Sequence, residues 1–165
     1  MPETFETEDF AESQLAAHGL DRPYRLWAAA QALRGALPAR ADIDILALKD
    51  ALPRLTLYDV IEGGKDFRYR VHSTESAAVM GEERTGKFRG EINQPPERRA
   101  RMDARLRRIV TSARPLLSRL PLQTGAPPPF VTRLLLPLAT DGAVVDMILV
   151  VREPLVGRIR SRRYL

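Results

Sequence analysis

Apolar and polar positions alternate with a period of two through Phe67–His72, after a strand-forming run at Leu55–Ile61 and a Gly63-Gly64 break. Two such runs joined by glycines predict a β-hairpin. In its second strand Phe67, Tyr69 and Val71 share one face, and Arg68, Arg70 and His72 the other. Helical spacing governs three other stretches. Pro23–Arg34 carries a stripe of Leu26, Trp27, Ala30 and Leu33, with Asp21 as cap and Gly35 as exit. A short helix over Ile43–Leu52 follows, capped by Asp42 or Asp44. Another runs from Glu75 to Met80. A long helix opens at Asn93-Gln94-Pro95-Pro96 and ends near Ala113, before Pro115. It turns Met102, Leu106, Ile109, Val110 and Ala113 toward a core, with Arg101, Arg105 and Arg108 as a second stripe.

The last third reads as three strands: Leu116–Leu122, Val131–Leu138 and Val144–Val151. A Gly125-to-Pro129 loop and an Asp141-Gly142 turn separate them. The final two strands are apolar on both faces, interrupted mainly by Thr132, Arg133, Pro137 and Asp146, as in a sheet covered on both sides. The whole is an α+β chain: residues 1–20 an acidic arm, mobile or loosely helical, 21–153 a domain and 154–165 a basic tail. The sheet should have five antiparallel strands, with helices inserted after the second and the Trp27 helix on its outer face. A second subunit, paired through Leu26, Trp27 and Leu33, is the expected cover for that face.

Charge sharpens this picture. The 165 residues carry a net +5, unevenly placed. Residues 1–21 hold six acids and no Lys or Arg, Arg98–Arg114 holds seven arginines, and Arg152–Arg163 five. The chain has no cysteine, which removes disulfides, thiolate metal sites and thiol chemistry. No apolar run is long enough to span a membrane and the acidic start is unlike a signal peptide, so a cytoplasmic location is expected. Enzymatic motifs are lacking. Only His18 and His72 are available as imidazoles, neither beside a nucleophile motif, and no phosphate-cradling glycine pattern is present.

The order strand, turn, strand, short helix, glycine-punctuated loop, together with Pro38-Ala-Arg-Ala-Asp-Ile-Asp44, Phe67-Arg-Tyr-Arg70 and Gly81…Thr85-Gly86, resembles a bacterial subfamily of PAS sensory domains over roughly residues 24–151. His72-Ser73 departs from that pattern, which usually shows a small apolar residue and glycine there; Thr74 matches it. The resemblance implies a sensory or adaptor module in bacterial signal transduction. Such a module is expected to bind a partner protein, a small ligand, or both, without catalysis; because the chain ends shortly after its last expected strand, a signalling partner is expected in trans. The resemblance also implies that Gly81, Thr85 and Gly86 shape the loop over a pocket. Tyr58, Tyr69 and Met80 are candidates to line that pocket, or equally core residues. No cofactor is expected: haem ligation by His72 would come from a polar strand face rather than a helix, and the flavin photochemistry of the light-sensing branch needs a cysteine. Arg101, Arg105 and Arg108 read as a solvated basic surface. The alternative reading is a nucleic-acid or anionic-surface binder using the arginine helix 98–114 and the tail, against which stands the lack of aromatic residues for base stacking in that helix. The same arginines could instead dock an acidic surface, the chain's own arm included.

Overall fold

The computed structural model describes residues 4–121 and 130–155. Six antiparallel strands form one sheet: β1 (Phe5–Thr7), β2 (Leu55–Ile61), β3 (Asp66–Val71), β4 (Leu116–Pro121), β5 (Phe130–Leu138) and β6 (Met147–Arg152), in the spatial order β1-β4-β5-β6-β2-β3. Helices α1 (Glu12–Ala16) and α2 (Asp21–Arg34) precede the hairpin, and α3 (Thr74–Met80) and α4 (Pro96–Ser112) lie between β3 and β4. Short 3-10 turns fill the connections, the longest at Ile45–Arg54, where the Asp44 carboxylate accepts the Leu46 N–H.

The sheet has one strand more than expected, because the acidic arm is not loose. Phe5–Thr7 adds to the edge of the sheet beside β4, pairing Glu6 with Ser118. Leu15 and Leu20 behind it are fully buried. Double coverage is what β5 and β6 predicted: Leu134, Leu135, Leu136, Ile148 and Val151 are all inaccessible to solvent. Alternate residues of these strands point to opposite faces, so helices must cover both. The last strand starts at Met147, not Val144, because the Asp141 carboxylate holds the Ala143 and Val144 N–H groups in the turn at 2.8 Å each. The expected Gly125-to-Pro129 loop and the tail beyond Leu155 lie outside the described residues.

Helix α2 supplies cover from within the chain. Trp27 is buried and its indole N–H donates to the Pro137 carbonyl of β5 at 2.8 Å. A partner subunit is therefore not required to bury it. The stripe is also rotated from its expected position: Pro23 and Trp27 are buried and Leu26 is half-buried, whereas Leu33 is 92% exposed. At about 100° per residue, Leu33 sits about 120° around the helix from Trp27. The helix ends at Gly35 in the left-handed region, and Arg34 anchors it to the carbonyls of Ala139 and Thr140.

One irregularity in the hairpin alters the site. Leu57 pairs with Val71 but Tyr58 pairs with Tyr69, so Arg70 is an extra residue in β3. Such a bulge reverses the alternation beyond it. Val71 is thereby turned outward, 44% exposed, and His72 is turned inward, 5% exposed. The expected polar strand face for His72 is corrected on this ground.

Truncating Trp27 to Ala should remove both its packing and the bond to Pro137. The expected loss is about 3–5 kcal/mol in denaturant unfolding, with wild-type indole emission blue-shifted as for a buried ring. A loss below about 1 kcal/mol would show that α2 is not docked on its own sheet.

Candidate functional site

Between α3, α4 and the inner face of the sheet lies a cavity of about 130 Å³. Its sheet wall is set by register. Tyr58 and Tyr69 are cross-strand neighbours with ring centroids 4.8 Å apart. Thr56 pairs with Val150, and Arg133 of β5 lies opposite Arg152 of β6. The helical wall comes from Ser76 and Met80 of α3 and from Met102 and Arg105 of α4. Tyr58, Tyr69 and Met80, named from sequence as pocket candidates, are thus brought to one cavity.

The loop from Gly81 to Gly86 is fastened to the end of β3. Gly81 terminates α3 in the left-handed conformation, its N–H bonding to the Ala77 carbonyl. Thr85 accepts the His72 N–H and donates to Glu83, while the Gly86 N–H donates to the Tyr69 carbonyl at 2.6 Å. Nothing lies within 4 Å of where a Gly86 side chain would begin; its φ of +84° is what makes glycine suitable there. The loop places Arg84 under cover, with its guanidinium donating to the Tyr69 hydroxyl at 3.3 Å.

Charge is the site's distinguishing property. Eight arginines line the cavity, and no aspartate or glutamate does. Arg89 is held rigidly: its Nε donates to Asp103 at 2.5 Å and its Nη1 to the Tyr69 hydroxyl at 2.9 Å. Burial opposes its charge, and the Asp103 carboxylate bonded to it supports it. Arg133 has less support. Burial, then the facing Arg152, push it down to about 10. Arg152 is also lowered, chiefly by burial. Burial raises the Tyr58 phenol, keeping it neutral. His72 meets Tyr69 edge-on, ring centroids 5.1 Å apart, and accepts the Arg84 N–H at Nδ1, 3.3 Å away. Burial lowers its pKa, Glu83 partly restoring it and Arg84 and Arg152 lowering it further.

The three arginines of the expected basic surface separate. Arg105 is buried rather than solvated, because β1 brings Glu6 against it and its Nε donates to Ser118 at 3.1 Å. Arg108 pairs with Glu6 and Glu8, and Arg114 with Glu8 and Asp9. Arg101 is exposed at the cavity's rim. The arginine helix is docked on the chain's own acidic arm. His18 sits 2.9 Å from the Glu153 carboxylate. Sequence reasoning missed Arg84, Arg89, Arg133 and Arg152 as cavity residues. The usable signal was Arg133, the one charge within Val131–Leu138; Arg152 ends β6, one residue beyond the expected strand.

Among the described residues no cluster of three His, Asp or Glu is placed to hold a metal, and no helix is long and apolar enough to cross a membrane. A scan of protein-family models and a search of curated proteins both give no match.

Two outcomes follow from this geometry. Arg105→Met should cost about 1–3 kcal/mol in denaturant unfolding, because it strands Ser118 and Glu6; Arg101→Met should stay within about 0.5 kcal/mol. Equal effects would contradict the division between buried and exposed arginine. For His72 the lowered folded pKa means that protonation is harder in the folded chain than in the unfolded one. Its contribution to stability is full above the ordinary imidazole range, about pH 6.5, and declines as pH falls below it. Wild type should therefore lose more stability between about pH 8 and about pH 5 than His72→Asn, whose amide can replace the Nδ1 acceptor. Identical slopes would remove His72 from the account.

Proposed function

We propose that this chain is a PAS-type sensory or adaptor module that binds a small ligand in the cavity between sheet and helices and signals through contact with a partner protein. The observation that carries this reading is the cavity that unites Tyr58, Tyr69 and Met80 under the Gly81–Gly86 loop. Strand order supports it as well. Leaving β1 aside, the strands run β3-β2-β6-β5-β4, with α3 and α4 inserted after the first hairpin. Five antiparallel strands with helices after the first hairpin are compatible with the arrangement that the resemblance implies, the N-terminal strand being an addition. A loop residue and an α3 residue both line the cavity, Arg84 and Met80, so occupancy can change the surface seen by a partner. The arginine helix favours this reading over nucleic-acid binding, since Arg105, Arg108 and Arg114 are engaged by Glu6, Glu8 and Asp9.

Native mass spectrometry of freshly purified protein, beside its denatured mass, tests the reading. A non-covalent small molecule released on denaturation is expected, and Met102→Trp, which fills the cavity, should abolish it. Adding that molecule back should increase amide protection in α3 and residues 81–86. A wild-type protein that is bare in every preparation, and whose Tm no compound in a metabolite library raises, would overturn it.

A further inference from the structure

Four buried side-chain nitrogens among the described residues have no hydrogen-bond partner: Arg89 Nη2, Gln94 Nε2, Arg133 Nη1 and Arg152 Nε. All four belong to residues lining the same cavity. Every one is a donor, and three are guanidinium nitrogens. Native proteins pair buried polar atoms almost without exception, and an unpaired charged donor is the costliest kind to leave. The clustering is therefore informative about what the cavity takes.

The electrostatics point the same way. Arg133 and Arg152 are directly opposite on neighbouring strands, a destabilising arrangement for like charges. Among the described residues no carboxylate lines the cavity between them. Glu153, next along the chain, accepts the Thr132 N–H at 2.7 Å and meets His18, and its charge supports that of Arg133. Glu75 is 3.8 Å from Arg152 Nη2 and leaves Nε unsatisfied. Arg89 and Arg152 are only 2% and 4% exposed, so bulk solvent does not reach them. The fork of a guanidinium matches two oxygens of a carboxylate or phosphate, and Asp103 and Tyr69 already orient Arg89.

We infer that the cavity binds a small molecule carrying a carboxylate or phosphate group, held by the free guanidinium nitrogens of Arg89, Arg133 and Arg152 and the amide of Gln94. The inference rests on the ligand-binding reading above and adds the chemical class. At about 130 Å³ the cavity suits a compact metabolite, not a nucleotide-sized cofactor. Tyr58 and Tyr69 supply phenol hydroxyls and ring faces beside the cations, which fits an anion carrying hydroxyl or short carbon substituents.

The test is calorimetry and thermal shift on the full chain, with inorganic phosphate, glycerol phosphate, succinate and citrate as probes and glycerol and succinamide as neutral controls. Millimolar concentrations at constant ionic strength keep the general salting effect of phosphate and citrate out of the readout. At least one oxyanion should bind saturably. Its affinity should weaken roughly thirtyfold or more in Arg133→Met and Arg152→Met, and less in the milder Gln94→Leu. Phosphate probes binding without succinate or citrate assign the phosphate class, and the reverse assigns the carboxylate class. Without ligand, Arg133→Met should melt at or above the wild-type temperature, since it removes a buried guanidinium facing a like charge. Binding of a neutral control, or release of a neutral compound from purified protein, overturns the anion assignment while the ligand-binding reading stands. A lower melting temperature of Arg133→Met without ligand also overturns it, because that guanidinium is then a structural strut. A chain that binds no probe and releases no molecule overturns both.

Discussion

Burial of β5 and β6 on both faces is the constraint from which the remaining architecture follows. Each strand carries aliphatic residues at consecutive positions, and at about 1.5–3 kcal/mol per large side chain neither face can be left to water. One side is closed by α1 and α2, whose Trp27 reaches the β5 backbone. The other is closed by α4, whose Arg105 reaches Ser118 on β4. The acidic arm completes the second layer, adding β1 to the open edge and bringing Glu6 to Arg105.

That layering is also what creates the site. A helix resting on arginines cannot pack as closely on a sheet as one resting on leucines. The apolar residues Leu106 and Ile109 are fully buried toward the C-terminal part of α4. Toward its N-terminal part Met102, Arg98 and Arg101 face Arg133 and Arg152 across a gap. The cavity is the place where the apolar layer gives way to charge. Its cations are retained inside the fold because Asp103, Tyr69 and Ser73 each satisfy part of a guanidinium and leave part free. A stability cost held at a site in this way is the usual signature of a function that needs it.

Much of the fold was legible from local pattern. The hairpin, the long helix stopped at Ala113 and the doubly buried strands follow from periodicity and from glycine and proline placement. Tyr58 and Tyr69 were readable as neighbours because a hairpin's register makes them so. Arg133 was visible as a lone charge in an apolar run, yet only the β5–β6 register puts Arg152 face to face with it. The arm was misread because three residues of strand carry too little periodicity to be recognised before a sheet edge is there to receive them.

Sequence by itself determined the principal helices and strands after the arm, that a core exists with both sheet faces covered, and that cysteine chemistry is excluded, since these depend on residue type and short-range spacing. Only the tertiary structure decided the direction of His72, through one extra residue in β3 that reverses the alternation. It alone decided that Trp27 is covered within the chain, that the helix arginines meet the chain's own acids, and that four donors converge on one cavity. Those are relations between residues far apart in the chain, set by register and by which layer packs on which, and no local pattern encodes them.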